Sequence, residues 1–390
     1  MPLRRFAILL SVCCLAFTGN FIQYQASALA LDIMPMLEIN SVGFSTMFLV
    51  PMLAAVFFGI PFGLAGDKFG PKRVVATCFA IACIGGLRII TLYSYPLQLA
   101  SLFLIGIGMA ALSTNVVKTI ALWFGSKTDT AVGVYYAVSC LGIVASQAVG
   151  ELYDSVRQAY VIAEIALVAV TALWVIVDKN LPNGVNPPSE KPALNTFLVA
   201  AKNTNVWLIA LAVGFTLSSS TAFAGLLPQA LESGKGMSGF AAGNMAASVT
   251  IASIFGCIAG PALCAHLKSF KPYLMIINIV ASAAMLSVWY VEGNASLHFT
   301  LAASGFLSAM TGPILQAMPV MMRGIGSRFA GSASGIIGTV SLAMSFLLPI
   351  LISALPNENY EIDLIMQAAC FATSILPIAM LSKIEKEQPA

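Results

Sequence analysis

The sequence predicts an all-α membrane protein in which twelve transmembrane helices form two six-helix bundles. Three observations lead to this fold class: the composition, the lengths of the apolar runs and the distribution of cationic residues. Of the 390 residues, 59% are apolar or aromatic and 9% are charged. A soluble domain carries about 25% charged residues, which cover its surface. Much of this chain must therefore be solvated by lipid, and we expect the bilayer to be its partner.

Twelve apolar runs are long enough to cross a membrane, which takes about 20 mainly apolar residues. They lie at 8–31, 43–65, 74–94, 97–123, 130–150, 160–178, 204–227, 240–265, 272–291, 297–321, 330–353 and 362–381. A polar stretch with Pro182, Pro187, Pro188 and Pro192 separates the sixth run from the seventh and has the composition of a linker. We therefore predict one six-helix bundle at 1–178, a cytoplasmic linker at 179–203 and a second bundle at 204–390.

The cationic residues predict the orientation, because cytoplasmic loops carry an excess of lysine and arginine. With the N-terminus inside, the cytoplasmic side holds Arg4, Arg5, Lys68, Lys72, Arg73, Lys127, Lys179, Lys191, Lys202, Lys268, Lys271, Arg323, Arg328, Lys383 and Lys386. The opposite loops are mainly acidic and hold Glu38, Glu151, Asp154, Arg157, Glu232, Lys235, Glu292, Glu358, Glu361 and Asp363. We predict a multi-pass protein of the cytoplasmic (inner) membrane with both termini inside.

Several function classes are disfavoured by the same sequence. A net charge of +3 without a basic cluster argues against a nucleic-acid partner. All eight cysteines lie in or beside apolar runs, where free thiols act as small apolar residues, and their spacing is not that of metal ligands. His266 and His298 lie near run boundaries with no catalytic constellation around them. We therefore expect no enzyme activity, no catalytic residue, no metal and no cofactor.

The short turn after the second run carries a motif that extends from Gly63 to Arg73, Gly-Leu-Ala-Gly-Asp-Lys-Phe-Gly-Pro-Lys-Arg. It resembles the signature loop of the major facilitator superfamily, although Pro71 stands where a basic residue is usual. The resemblance covers the whole chain, with six helices, a linker and six more. It implies a monomeric secondary transporter that moves a small-molecule substrate by alternating access. The coupling ion it implies is a proton, sodium or a counter-substrate.

This loop also has a role that its residue types explain. Gly63 and Gly70 permit close helix approach and a tight turn. The anionic Asp67 suits a helix N-terminus in the other half, where the eleventh helix begins near Arg328. We predict that the loop is a conformational latch formed by Gly63, Asp67, Lys68, Gly70, Lys72, Arg73 and Arg328. The alternative is a solvated charged turn that only fixes orientation.

The resemblance further implies that the first, fourth, seventh and tenth helices line a central cavity. Polar and aromatic side chains at helical spacing in these runs are the substrate-binding candidates: Asn20, Gln23, Tyr24, Asn115, Lys118, Thr216, Ser220, Phe223, Ser308, Thr311 and Gln316. Hydrogen bonding between helices is the alternative role for each polar residue. We expect Pro313 to kink the tenth helix, because proline removes a backbone hydrogen bond.

Charges within the runs are few, and each costs roughly 2.5–3.5 kcal/mol to insert. Lys118 is either a counter-charge for an anionic substrate or a side chain that extends to the membrane interface. Arg88, a further substrate-binding candidate, has pairing with Asp32 as its alternative role. We expect Glu164 to lie near the outer interface.

Small residues every fourth position favour close helix packing in the fifth and eleventh runs. Gly142, Ser146 and Gly150 form one such stripe, and Gly331 with Gly335, followed by Gly338, forms the other.

Transport of a small polar solute, an organic anion, is the leading functional hypothesis. Choline-like cations or zwitterions are an alternative, because Ile22-Gln23-Tyr24 and Trp123-Phe124-Gly125 resemble parts of the choline and haem transporter group related to the feline leukaemia virus receptor. Drug efflux is less favoured, since the fifth run has no Gly-Pro pair and the expected cavity helices have no deep acidic residue. A receptor or sensor on a transporter scaffold is the alternative without transport.

Overall fold

A computed structural model describes residues 2–124, 128–177, 194–267, 269–322, 325–355 and 360–382. Its helices are α1 Pro2–Ala28, α2 Ala30–Met36, α3 Ser41–Phe69, α4 Pro71–Gly86, α5 Tyr95–Phe124, α6 Thr128–Ala148, α7 Val156–Val177, α8 Leu194–Ala201, α9 Thr204–Lys235, α10 Gly239–Ala265, α11 Phe270–Tyr290, α12 Asn294–Ala309, α13 Gly312–Met321, α14 Gly326–Ser353, α15 Tyr360–Thr373 and α16 Ile375–Met380. Short 3-10 turns follow α4 and α6 at Leu87–Ile89 and Gly150–Leu152. The predicted all-α class is confirmed.

Ten helical segments of the described residues are long and apolar enough to cross a membrane. The predicted third and tenth runs are not among them. The third forms the 16-residue α4, which ends at Gly86 in a 3-10 turn. The tenth is divided into α12 and α13, with a break at Met310 and Thr311, and Pro313 is the second residue of α13. The expected disturbance at Pro313 is thus an interruption of the helix, and the count of twelve spans stays a prediction.

The helices form two compact units, Met1–Ser189 with Ser238–Asn244 and Glu190–Met237 with Met245–Ala390. In the first unit, α1 packs on α6 and α7, and α5 packs on α3 and α4. Glycine permits the closest approaches: a Cβ at Gly106 would lie 2.5 Å from the Pro51 carbonyl oxygen, and one at Gly142 would lie 3.0 Å from the Phe17 carbonyl carbon. The stripe predicted in the fifth run therefore does pack closely.

In the second unit, α9 packs on α14 and α15, and α11 packs on α12 and α15. A Cβ at Gly260 would lie 2.7 Å from the Met310 carbonyl carbon, so α10 approaches α12 closely. The close packing expected at Gly335 and Gly338 was wrong for the part of the chain described, where a Cβ placed at either residue would meet no atom within 4 Å beyond its own helix backbone. Small residues permit close approach, but a partner helix must also face them.

The predicted linker at 179–203 contains one helix that its composition did not indicate. Helix α8, Leu194–Ala201, packs on α14 and on the start of α9. Trp207 donates from Nε1 to the Ala201 carbonyl at 2.8 Å, which holds the junction between α8 and α9. Residues 178–193 of the predicted linker lie outside the described residues.

Candidate functional site

The signature loop is a tight turn between α3 and α4. Gly70 has a φ of +88°, which an L side chain rarely adopts, and its N–H donates to the Gly66 carbonyl at 3.1 Å. Pro71, the departure from the family motif, is the first residue of α4, where proline needs no hydrogen-bond partner for its nitrogen. The turn expected at Gly70 is confirmed.

Two neighbouring helices of the same unit brace this loop. Trp174 of α7 is fully buried and donates from Nε1 to the Lys72 carbonyl at 3.3 Å. Asn115 of α5 donates from Nδ2 to the Phe62 carbonyl at 3.2 Å. A Cβ at Gly66 would meet the Asn115 carboxamide, so this glycine lets the amide pack against α3. Asn115 thus supports the signature loop, a contact that sequence reasoning missed.

The close helix approach expected at Gly63 was wrong for the described residues, where a Cβ at this position would meet no atom within 4 Å. Gly66, one turn later, takes that role against Asn115. Lys68 and Arg73 are exposed, and Lys72 is half-buried. The side chains of Asp67 and Arg328, the two ends of the predicted latch, lie outside the described residues, so the latch stays a prediction.

The substrate-binding candidates divide by accessibility. Asn20, Lys118, Ser220, Ser308 and Gln316 expose part of their surface, whereas Gln23, Tyr24, Arg88, Asn115, Thr216, Phe223 and Thr311 are buried. Neighbouring helices of the same unit use most of the buried polar groups. Ligand binding by the accessible set stays a prediction.

The candidates of α1 contact α3 and α6. Gln23 donates to the Phe48 carbonyl at 3.3 Å, and the Tyr24 ring meets the Phe48 ring edge-on at 5.1 Å. Asn20 donates to both the carbonyl and the hydroxyl of Ser139, at 3.0 and 2.6 Å. Asn20 thus bonds to α6, whereas Gln23 and Tyr24 contact α3.

Lys118 lies on an accessible polar strip of α5. Ser113 is exposed, and Thr114 and Lys118 are half-buried, whereas Asn115 and Thr119 are buried. Asn115 and Lys118, three residues apart, differ in burial, so Asn115 is the packed member of the predicted stripe and Lys118 the accessible one. Ser113 and Thr114 are accessible residues near Lys118 that sequence reasoning missed. Thr114 lies four residues before Lys118, and this spacing places the two on one face.

On α9, Thr216 donates to the carbonyls of its own helix and Phe223 is 2% exposed, so Ser220 is the accessible member of the predicted stripe. Its neighbour Ser219 donates to the Gln367 carbonyl of α15. The Ser219 hydroxyl thus joins α9 to α15, whereas Ser220 stays partly exposed.

Thr311 belongs to a buried network of three helices. Its hydroxyl donates to Asn278 Oδ1 at 3.0 Å, and Asn278 Nδ2 donates to the Ser374 hydroxyl at 2.9 Å. Thr311 stands at the break between α12 and α13, and Ser374 stands at the break between α15 and α16. Asn278, on the continuous helix α11, therefore fixes both interruptions. Gln316, one turn into α13, is exposed.

We expect Asn278→Leu to lower stability, because it leaves the Thr311 and Ser374 hydroxyls buried and unpaired. A buried polar group without a partner costs about 1–3 kcal/mol. Thermal unfolding of the purified protein should show a lower transition temperature than in the wild type. The matched control is Asn244→Leu, which removes an exposed amide that bonds only within its own helix among the contacts described. Equal transition temperatures in the two variants would contradict this role.

Arg88 lies in the 3-10 turn after α4 and is 1% exposed. Its Nη2 donates to Gln25 Oε1 at 3.0 Å, and its Cζ lies 3.7 Å from the centroid of the Tyr160 ring. Gln25 in turn donates to the Ala159 carbonyl at 3.0 Å. Asp32 is exposed, so the pairing of Arg88 with Asp32 suggested by the sequence was wrong. Gln25, one residue beyond the predicted stripe of α1, was missed.

Two compact units of apolar helices, with buried polar networks inside each, define a polytopic membrane protein. Residues 9–349 match the family model of the Major Facilitator Superfamily. The chain therefore belongs to this superfamily and is a secondary transporter.

Solved structures share the fold at low sequence identity. A bacterial homologue of the human lysosomal transporter Spinster, in an inward-facing and unoccupied conformation, aligns with a TM-score of 0.75 and 11% identity, covering 97% of this chain and 95% of that one. A point mutant of the nucleoside transporter NupG aligns with a TM-score of 0.76 and 14% identity, covering 96% and 100%. An uncharacterised protein of Archaeoglobus fulgidus is 26% identical over 187 residues, which are 48% of this chain and 84% of that protein.

Proposed function

We propose that the protein transports a small organic anion and that Lys118 binds its anionic group. The observation that carries the proposal is the polar strip of α5, where Lys118 is accessible beside Ser113 and Thr114. A helix face in contact with lipid would be apolar, because an ammonium group within a membrane costs roughly 2.5–3.5 kcal/mol. A strip that keeps this charge accessible suits an aqueous path with an anionic ligand.

Arg88 does not share this role in the proposal. Its guanidinium is covered by Tyr160 and bonded to Gln25, so a ligand would have to displace both. Lys118 is therefore the cation on which we base the substrate class. Asn20, which is accessible in the same unit, is the polar group that we propose as a further contact. Ser220, Ser308 and Gln316 are accessible in the second unit and stay predicted ligand contacts.

A choline-like cation is the second candidate, favoured by one observation. Tyr135 and Tyr136 of α6 form an edge-on pair with centroids 5.2 Å apart, and the ring of Tyr136 is exposed. Aromatic faces attract quaternary ammonium groups. The other aromatic candidates, Tyr24 and Phe223, are buried and cannot offer an open face in this structure.

A thermal-shift screen of the purified protein tests the proposal. A ligand that binds only the folded state raises the unfolding temperature by mass action. The panel contains lactate, succinate, citrate, chloride, choline, betaine, glutamate and a cationic drug. We expect stabilisation by at least one carboxylate. Stabilisation by choline alone would overturn the anion proposal in favour of the second candidate.

We propose that the signature loop acts as a latch and that the orientation follows the cation distribution, with both termini in the cytoplasm. Asp67→Asn should then slow transport while the affinity for the ligand found in the screen stays near the wild-type value. Uptake rates and ligand titrations of the same preparation measure the two effects. Lys202→Gln, which removes an exposed cation outside the latch, is the control. An equal loss of affinity and rate in Asp67→Asn would contradict the latch.

A further inference from the structure

A second buried polar cluster in the first unit lies apart from the strip of Lys118. It consists of Gln25 on α1, Arg88 after α4, and Tyr160 and Glu164 on α7. Tyr160 and Glu164 are four residues apart and therefore share a face of α7. Arg88 lies within electrostatic range of both. Cys83 of α4 is the other titratable group near Glu164.

Three polar atoms of this cluster have no hydrogen-bond partner among the described residues. They are Nη1 of Arg88, the hydroxyl of Tyr160 and Oε2 of Glu164, and all three atoms are buried. Buried polar groups are nearly always paired, so each exception needs an explanation. Ionisable groups within a membrane are also costly and are usually functional. The cluster combines buried polar atoms that lack partners with ionisable side chains in an apolar helical segment.

Gly86 explains where the Glu164 carboxyl lies. A Cβ at Gly86 would coincide with Oε2 of Glu164 and lie 2.6 Å from its Cδ. The carboxyl therefore packs directly on the α4 backbone, in space that only glycine leaves open. Because Oε2 is buried there without a donor, ionisation of the half-buried carboxyl in this position is disfavoured relative to the neutral form.

We propose that Glu164 is a proton-binding site. In its protonated form the carboxyl keeps the position against Gly86 that the structure shows. On release of its proton the carboxylate turns to Nη1 of Arg88, the unpaired donor of a guanidinium that Tyr160 and Gln25 hold in place. In a secondary transporter such a site binds the coupling proton; that role rests on the proposed function, whereas proton binding itself does not.

Infrared difference spectroscopy of the purified full-length protein in lipid nanodiscs tests the proposal. The carbonyl band of a protonated carboxyl is followed across the physiological pH range, with ¹³C-labelled glutamate to separate glutamate from aspartate. We expect a glutamate band that changes with pH in the wild type and is absent in Glu164→Gln. If Glu164→Gln does not fold, the isotope-labelled wild type still shows whether a glutamate carboxyl changes its protonation with pH.

Gly86→Ala supplies the second arm, because its methyl group removes the space of the neutral carboxyl and favours the arrangement beside Arg88. The protonated fraction at a given pH should fall at least several-fold. Gly133→Ala is the matched control, since no described atom lies within 4 Å of a Cβ there, and its band should equal the wild-type band. A wild-type glutamate band that is absent or constant with pH would overturn the proposal, as would an unchanged band in Gly86→Ala. The spectroscopic measurement needs no transported substrate. Its outcome is therefore independent of whether the anion proposal holds.

Discussion

Lys118→Gln is expected to abolish stabilisation of the protein by carboxylates while leaving its fold intact. A hydrogen bond to a charged group contributes about 1.5–3 kcal/mol, which corresponds to roughly a 10- to 100-fold loss of affinity. The fold should survive, because Lys118 is half-buried on an accessible strip and not in a packed core. Thermal shift in a carboxylate titration measures the loss directly.

Lys118→Arg is the matched variant, since it keeps the charge while changing its geometry. It should retain more affinity than Lys118→Gln. Arg73→Gln, which removes an exposed cation of the signature loop, controls for a general change in surface charge. If Lys118→Gln and Arg73→Gln weakened binding equally, the effect would be one of net charge, and Lys118 would have no specific contact with the anion.

Gly142→Val is expected to prevent normal folding of the first unit. A Cβ at Gly142 would lie in contact with the Phe17 carbonyl oxygen and 3.0 Å from its carbon, so the obstacle is backbone that cannot rotate away. Overpacking typically costs about 1–3 kcal/mol and occasionally more, and backbone that cannot move places this site at the upper end. Fluorescence-detected size-exclusion chromatography should show little monodisperse protein, and any that is recovered should unfold at a lower temperature.

Gly133→Val on the same helix is the control for this prediction. No described atom lies within 4 Å of a Cβ at Gly133, so the same substitution meets open space. Similar yields and unfolding temperatures for the two variants would show that helix propensity, and not the contact between α1 and α6, determines the outcome.

The helical architecture follows from the sequence because long apolar runs in lipid have few stable alternatives. A backbone without water must satisfy its hydrogen bonds internally, and a helix does so within one segment. The turn at Gly70 and the interruption before Pro313 were also predictable, since each depends on the local chemistry of one residue. The helix α8 was not, because its sequence is short and its packing partner, α14, lies far along the chain.

The roles of polar side chains were less predictable than the helices that carry them. Spacing places Asn115 and Lys118 near each other, but one packs on Gly66 and the other is accessible. Thr311 and Gln23 likewise bond to neighbouring helices, which is the alternative role that the sequence analysis gave for polar residues. A helical pattern identifies a polar face within a few tens of degrees, and the choice between a cavity and a neighbouring helix depends on tertiary packing.

The cluster around Arg88 shows the same limit. Glu164 was expected near the outer interface, and its contact with Gly86 depends on α4 and α7 packing together. Asp363 was assigned to a loop, but it lies in the first turn of α15 and is 4% exposed. A carboxyl near the end of an apolar run can be buried or exposed, and sequence alone does not distinguish the two.

Uptake of labelled solutes into proteoliposomes tests the central claim most directly. Wild-type and Lys118→Gln proteins are reconstituted at equal density and given radiolabelled lactate, succinate, citrate or choline. The proposed function predicts that at least one carboxylate enters wild-type vesicles faster than protein-free vesicles and that Lys118→Gln removes most of this uptake. Uptake of choline alone, or carboxylate uptake that is unchanged in Lys118→Gln, would contradict it.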